Sequence, residues 1–162
     1  MLKNRSVPAN AILPHLTYTD VAAAVDWLTR VFGFAEHYRY GAAECPDGAQ
    51  MRLGEAWIMI NRVRPGRFAP AQMGGYTQSL TVFVDDVDGH YERTKAAGGN
   101  IVEELNETIY GERQYGVVDL EGHQWLFSRH ARDVSPEEWG RGWRHVNGVR
   151  DALFRFGEYL VN

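Results

Sequence analysis

The sequence predicts an α+β fold: two βαβββ repeats forming a curved mixed sheet with a concave cup, plus a C-terminal helical extension. The main observation is an internal repeat. The segment from Ile12 to Asp20 (ILPHLTYTD) runs into VAAAVDWLTRVFGF, and the segment from Gln78 to Asp86 (QSLTVFVDD) runs into VDGHYERTKAAGGN. Asp20 pairs with Asp86, Val21 with Val87 and Gly33 with Gly99, all at one offset (86 − 20 = 66; 99 − 33 = 66). A second observation is that both halves follow one order of signals: a β-rich run, an Asp, about a dozen residues of helical period, a glycine, then extended segments.

Taken in order, Asp20 and Asp86 read as N-caps, and Gly33 and Gly99 as C-caps. Three strands are expected after each glycine: AEHYRYG, AQMRLG and EAWIMINR in the first half; IVEELNET, RQYGVVDL and HQWLFSRH in the second. The Gly- and Pro-rich stretch Val63 to Thr77 joins two half-domains rather than two domains. The repeats span about residues 10–63 and 77–130 within a domain of residues 1–132. Residues 133–162 form the extension. There Ser135, Pro136 and Glu138 read as N-cap, N1 proline and capping-box glutamate, and Val149, Leu153, Phe156 and Leu160 make an apolar stripe.

At 162 residues and 44% hydrophobic content the chain suits one compact domain. Its net charge of −4 and scattered arginines leave no basic footprint, so no nucleic-acid partner is expected. No apolar run spans a bilayer and no signal-peptide core is apparent, so a cytoplasmic protein without membrane contact is expected. A single cysteine, Cys45, excludes an internal disulfide; with Pro46, Asp47 and Gly48 after it, a turn position is expected.

The repeat, with YTDVAAAVDWLTRVFGF, FVDDVD and GVVDLEGHQWLF, resembles the vicinal oxygen chelate superfamily, which includes glyoxalase I, the bleomycin-resistance proteins and the extradiol dioxygenases. The likeness covers roughly residues 10–130, and Asp119, Gly122, His123 and Trp125 carry its most specific part. Metal-using members place His or Glu at four cup-facing strand positions. The resemblance carries these onto Leu13, Met59, Ser79 and Leu126. Leucine has no lone pair to give, and no neighbouring register restores a ligand set, so neither metal nor cofactor is expected.

Strand alternation then predicts the cup lining. His15 and Thr17 accompany Leu13; Thr81 and Phe83 accompany Ser79; Trp57 flanks Met59; and Gln124 and Ser128 flank Leu126. His123 and Trp125 fall on the helix side. The derived cup holds no carboxylate. The segment Tyr110 to Tyr115 is expected at the rim, with Tyr115 in the site and Arg113 meeting either an anionic or carbonyl ligand or an acidic group of its own repeat. His15 reads either as a general base or as a hydrogen-bonded lining residue.

Two function classes follow. One is a metal-independent protein that binds and sequesters a small hydrophobic or aromatic ligand, as the resemblance to the bleomycin-resistance branch implies, with a homodimer building the pocket. The other is a lyase, isomerase or dioxygenase of the same superfamily, using His15 as base or metal ligands placed elsewhere.

Overall fold

A computed structural model describes residues 12–139. The elements run β1 (His15–Tyr18), α1 (Val21–Phe32), β2 (Ala35–Ala42), β3 (Cys45–Leu53), β4 (Ala56–Arg62), α2 (Pro70–Met73), β5 (Ser79–Phe83), α3 (Val87–Ala96), β6 (Asn100–Glu107), β7 (Glu112–Val118), β8 (Gln124–His130) and α4 (Pro136–Trp139). This is the expected α+β succession, two βαβββ repeats. The strands make two four-stranded sheets, ordered β1-β4-β3-β2 and β5-β8-β7-β6. In each, the first strand lies parallel to the last strand of its repeat and the other pairings are antiparallel.

Both main helices start as the aspartates dictate. Asp20 Oδ1 accepts from Ala23 N and Asp86 Oδ1 from Gly89 N, each at 2.9 Å, filling one of the orphan donors of a first turn. The helix ends differ. Gly33 closes α1 in the left-handed region (φ 76) as expected, but α3 stops at Ala96, Ala97 is its cap, and Gly98 rather than Gly99 takes positive φ (81). Gly99 instead allows a close approach: a Cβ there would sit 2.6 Å from the Thr94 side chain. Cys45 also differs from expectation, because the turn falls on residues 43–44 and Cys45 is the exposed first residue of β3, beside Arg62.

One core serves both halves. Leu16, Tyr18, Ile58 and Ile60 of the first sheet join Val82, Tyr115, Trp125 and Phe127 of the second around α1 and α3. Phe32 and Phe34 lie 5.4 and 5.7 Å from the Trp125 ring across the repeat boundary. Each of these buried rings removes roughly 150–250 Å² from water, which dominates the energetics of joining the halves.

The most specific motif of the sequence is an inter-repeat clamp. Asp119 Oδ2 accepts from Tyr18 Oη (2.6 Å) and Trp125 Nε1 (3.0 Å), while Oδ1 accepts from the backbone of Glu121 and His123. Glu121 in turn accepts from Thr19 N and Oγ1, and His123 Nε2 donates to Thr17 O at 2.9 Å. Asp119, Glu121 and His123 are thus buried polar groups with partners, as burial requires. At the far end, Ser135 N donates to Glu138 Oε2, the expected capping contact of α4; the apolar stripe from Val149 to Leu160 lies outside the described residues.

Candidate functional site

The faces turned away from the helices are where a ligand surface can form, because the opposite faces are spent on the core. On the first sheet the register pairs His15 with Met59 and Thr17 with Asn61 along β1 and β4, and Gln50 with Met59 and Arg52 with Trp57 along β3 and β4. His15 is exposed, Thr17, Trp57 and Met59 are half-buried, and Leu13 lies two residues before β1, also half-buried. Asn61 Nδ2 stands 3.4 Å from His15 Nδ1 and accepts at Oδ1 from Tyr40 Oη.

Strand β2 extends this face with rings that alternation from β4 alone does not reach. Trp57, His37, Tyr38 and Tyr40 form a chain of neighbours with centroid separations of 5.4, 5.4 and 6.4 Å. A register shift between Glu36 and Tyr38 sets His37 beside Trp57 as well as Tyr38. Gly48 makes room for the last ring, since a Cβ there would collide with Tyr40 Oη.

On the second sheet Ser79, Thr81 and Phe83 are exposed, Phe83 at 57%, and Gln124 and Leu126 are half-buried. Leu126 lies opposite Gly116 and Ser128 opposite Gln114, so Glu112 and Gln114 of β7 share this face. The expectation of a surface without carboxylates is therefore corrected. Glu112 accepts from Ser128 Oγ at 2.6 Å and contacts His130, and Glu103 accepts from Gln114 Nε2. Partial burial disfavours the Glu112 anion, but the hydrogen bonds from Ser128 and His130 outweigh it and hold the carboxyl below its ordinary range.

Two expected site residues stand elsewhere. Tyr115 is fully buried on the helix side, its hydroxyl 2.6 Å from His90 Nδ1 and 2.8 Å from Thr94 Oγ1. The parity of β7 forces this, because Gly116 takes the outward position opposite Leu126. Arg113 points the same way and grips Asp88 of α3 with Nε and Nη2 at 2.5–3.0 Å. That hydrogen-bonded pair pulls the half-buried Asp88 carboxyl below its usual range and raises the guanidinium. Of the two readings of Arg113, the acidic group of its own repeat is the partner found.

Buried behind the second sheet, Nε2 of His90 donates to Phe32 O at 3.0 Å, so Nδ1 must accept from Tyr115. Burial pushes this imidazole down to about 4 and pushes the Tyr115 hydroxyl up. This is a structural network of the core, remote from the outward faces.

The four positions at which the resemblance implies metal ligands hold Leu13, Met59, Ser79 and Leu126. Met59 Sδ is taken up as acceptor for Gln50 Nε2, and Leu126 faces Gly116. This donor set does not fit a divalent ion bound through imidazole and carboxylate. Among the described residues no group of three or more His, Cys, Asp or Glu converges as a metal site. At the β1 edge, a groove of about 160 Å³ is lined by His15, Thr17, Phe68, Met73, Tyr76 and His123, so the segment joining the repeats borders the candidate face.

Comparison with known proteins agrees with this architecture. The profile of the Glyoxalase/Bleomycin resistance protein/Dioxygenase superfamily matches residues 11–127. An uncharacterized protein of Mycobacterium bovis is 33% identical over 138 residues, covering 79% of this chain and 88% of its own. The crystal structure of TioX from Micromonospora sp. ML1 is 42% identical, covers 75% of this chain and 99% of its own, and superposes with a TM-score of 0.64. A bleomycin resistance determinant encoded on the transposon Tn5, at 16% identity, covers 75% of this chain and 98% of its own with a TM-score of 0.60, a likeness of fold. With the repeat, the two sheets and the clamp in place, this match over most of the chain shows that the protein belongs to the glyoxalase/bleomycin resistance protein/dioxygenase superfamily.

Proposed function

We propose that the protein is a metal-independent, sequestration-type member of its family that holds a small planar aromatic or hydrophobic molecule. The observation that carries this reading is the ring chain Trp57, His37, Tyr38 and Tyr40 on the outward face of the first sheet. Aromatic rings offer large contact area at low conformational cost, with a few polar groups to orient a ligand. His15 and Asn61 supply such groups at one end of the row. The unsuitable donor set at Leu13, Met59, Ser79 and Leu126 favours binding over metal-assisted turnover. His15 serves as a lining residue in this reading.

The pocket is completed by a second copy of the chain. The sheets of one chain are joined through their helix sides, while Thr81 and Phe83 of the second sheet stay exposed and available to cover the ring row of a partner. The test is a thermal-shift titration of protein purified without chelator or nickel resin, using planar aromatics alongside Mn, Fe, Co, Ni and Zn, with sedimentation to read the assembly. Stabilisation by aromatics and none by metals is expected. A stoichiometric ion, or stabilisation that grows with one metal, would overturn the reading in favour of a metal-dependent lyase, isomerase or dioxygenase.

A further inference from the structure

The ring-bearing face conceals a polar atom that the fold itself does not use. Gln50 lies mid-strand in β3, between Tyr38 on β2 and Met59 on β4, and is fully buried. Its Nε2 donates to Met59 Sδ at 3.3 Å, a weak acceptor. Its Oε1 is buried with no hydrogen-bond partner. Inverting the amide exchanges the orphan without curing it, because an NH2 would then take the vacant side. A buried carbonyl left this way is destabilising, and such groups are rare enough to call for a reason.

The fold does not supply that reason. By the offset relating the repeats, Gln50 corresponds to Gly116 (116 − 50 = 66), so the second half builds the same strand pair with no side chain there. Gln114, the nearest counterpart on that face, has partners for both ends of its amide, Tyr110 Oη and Glu103. Gln50 alone of the two is incomplete.

We propose that Gln50 Oε1 is the specificity-determining acceptor of the site, selecting planar aromatic ligands that carry an N–H donor at the ring edge, as an aryl carboxamide does. The inference rests on the aromatic-binding reading above. The ligand lies along Trp57 and Tyr38, and its N–H meets Oε1. Met59 holds the Nε2 end of the amide, so Oε1 is the end left for the ligand edge, and the half-buried thioether with its three rotatable bonds adjusts as the ligand enters. Discrimination follows from the burial. A ligand of the same shape without the donor covers Oε1 and leaves it unpaired, whereas the donor-bearing ligand satisfies it.

The experiment compares 2-naphthamide with N,N-dimethyl-2-naphthamide by calorimetric titration of the full chain. The two share rings and carbonyl, and only the first has N–H. The wild type should bind 2-naphthamide about tenfold more tightly or better. Gln50→Met, which keeps the length and removes the acceptor, should bring the two within about twofold without weakening the dimethyl amide. Equal binding by the wild type overturns the inference, as does a preference that survives in Gln50→Met; the first comparison needs no variant to fold. If the wild type binds neither amide at its solubility limit, the aromatic-binding reading itself fails, a result distinct from equal binding.

Discussion

Lowering the pH should weaken the fold through one buried imidazole. His90 is 6% exposed, donates from Nε2 to Phe32 O and accepts at Nδ1 from Tyr115, so it has no place for a second proton without breaking a bond. Burial lowers its folded value to about 4, below the ordinary histidine value of 6.5. The unfolded chain therefore binds the proton first, and stability falls as pH drops from about 6.5 toward 4. The full difference is worth up to ~3 kcal/mol at 1.36 kcal/mol per unit. Between pH 7.5 and 5.5 the loss is ~1 kcal/mol, and between 7.5 and 4.5 it is roughly 2–3 kcal/mol. The assay is urea unfolding at those pH values for the wild type and His90→Gln, which cannot titrate. Carboxylates contribute equally to both proteins, so the difference in pH slope isolates His90. The variant should be less stable at pH 7.5 and the two curves should converge toward pH 4.5. Parallel curves would refute the argument.

Tyr115→Phe should cost ~1–3 kcal/mol in urea unfolding by orphaning His90 Nδ1, yet leave 2-naphthamide affinity within about twofold, because Tyr115 faces the core. Trp57→Ala should lower that affinity by about tenfold or more with little change in melting temperature, since Trp57 is half-buried on the outward face. Asp119→Ala removes the shared acceptor of Tyr18 and Trp125, and thermal unfolding should show a loss of roughly 3 kcal/mol or more. Gly48→Ala sets a Cβ 2.6 Å from Ile60 O and against Tyr40, so chemical unfolding should show ~1–3 kcal/mol of destabilisation together with weaker aromatic binding.

What the sequence made legible were the features set by local chemistry. The aspartate caps follow from side-chain reach, and the faces of β1, β4, β5 and β8 follow from strict alternation on strands buried on one side. The misses have physical causes too. Gly98 and Gly99 stand together, and only the helix length decides which adopts positive φ. The face of Tyr115 depends on the β7–β8 register, and the long connection from Asp119 to His123 hides that register from a count along the chain. By contrast β3 and β4 meet in a two-residue turn, Gly54-Glu55, pairing Leu53 with Ala56; Gln50 opposite Met59 follows by counting back. That signal was available in the sequence and names the residue on which specificity now turns. His37 was out of reach, because it stands beside Trp57 through a register shift.

The two repeats have divided structure and recognition unequally. On the helix side the 66-residue offset sets Ala24, Leu28 and Ala49 of the first half against His90, Thr94 and Tyr115 of the second (90 − 24 = 66; 94 − 28 = 66; 115 − 49 = 66). The first half therefore fills its core with apolar groups and the second with a hydrogen-bonded trio. The outward faces show a different contrast. The first presents rings over an unsatisfied carboxamide, and the second presents two pairs already bonded, Gln114 to Glu103 and Ser128 to Glu112. A polar group with its partners in place has little to gain from a ligand, whereas an orphan gains the whole bond. Recognition should therefore reside in the first repeat, with the second acting as cover. Substitutions on the two faces should separate accordingly: those at Trp57 or Gln50 should change which ligand binds, and those at Thr81 or Phe83 should change how tightly any ligand is held.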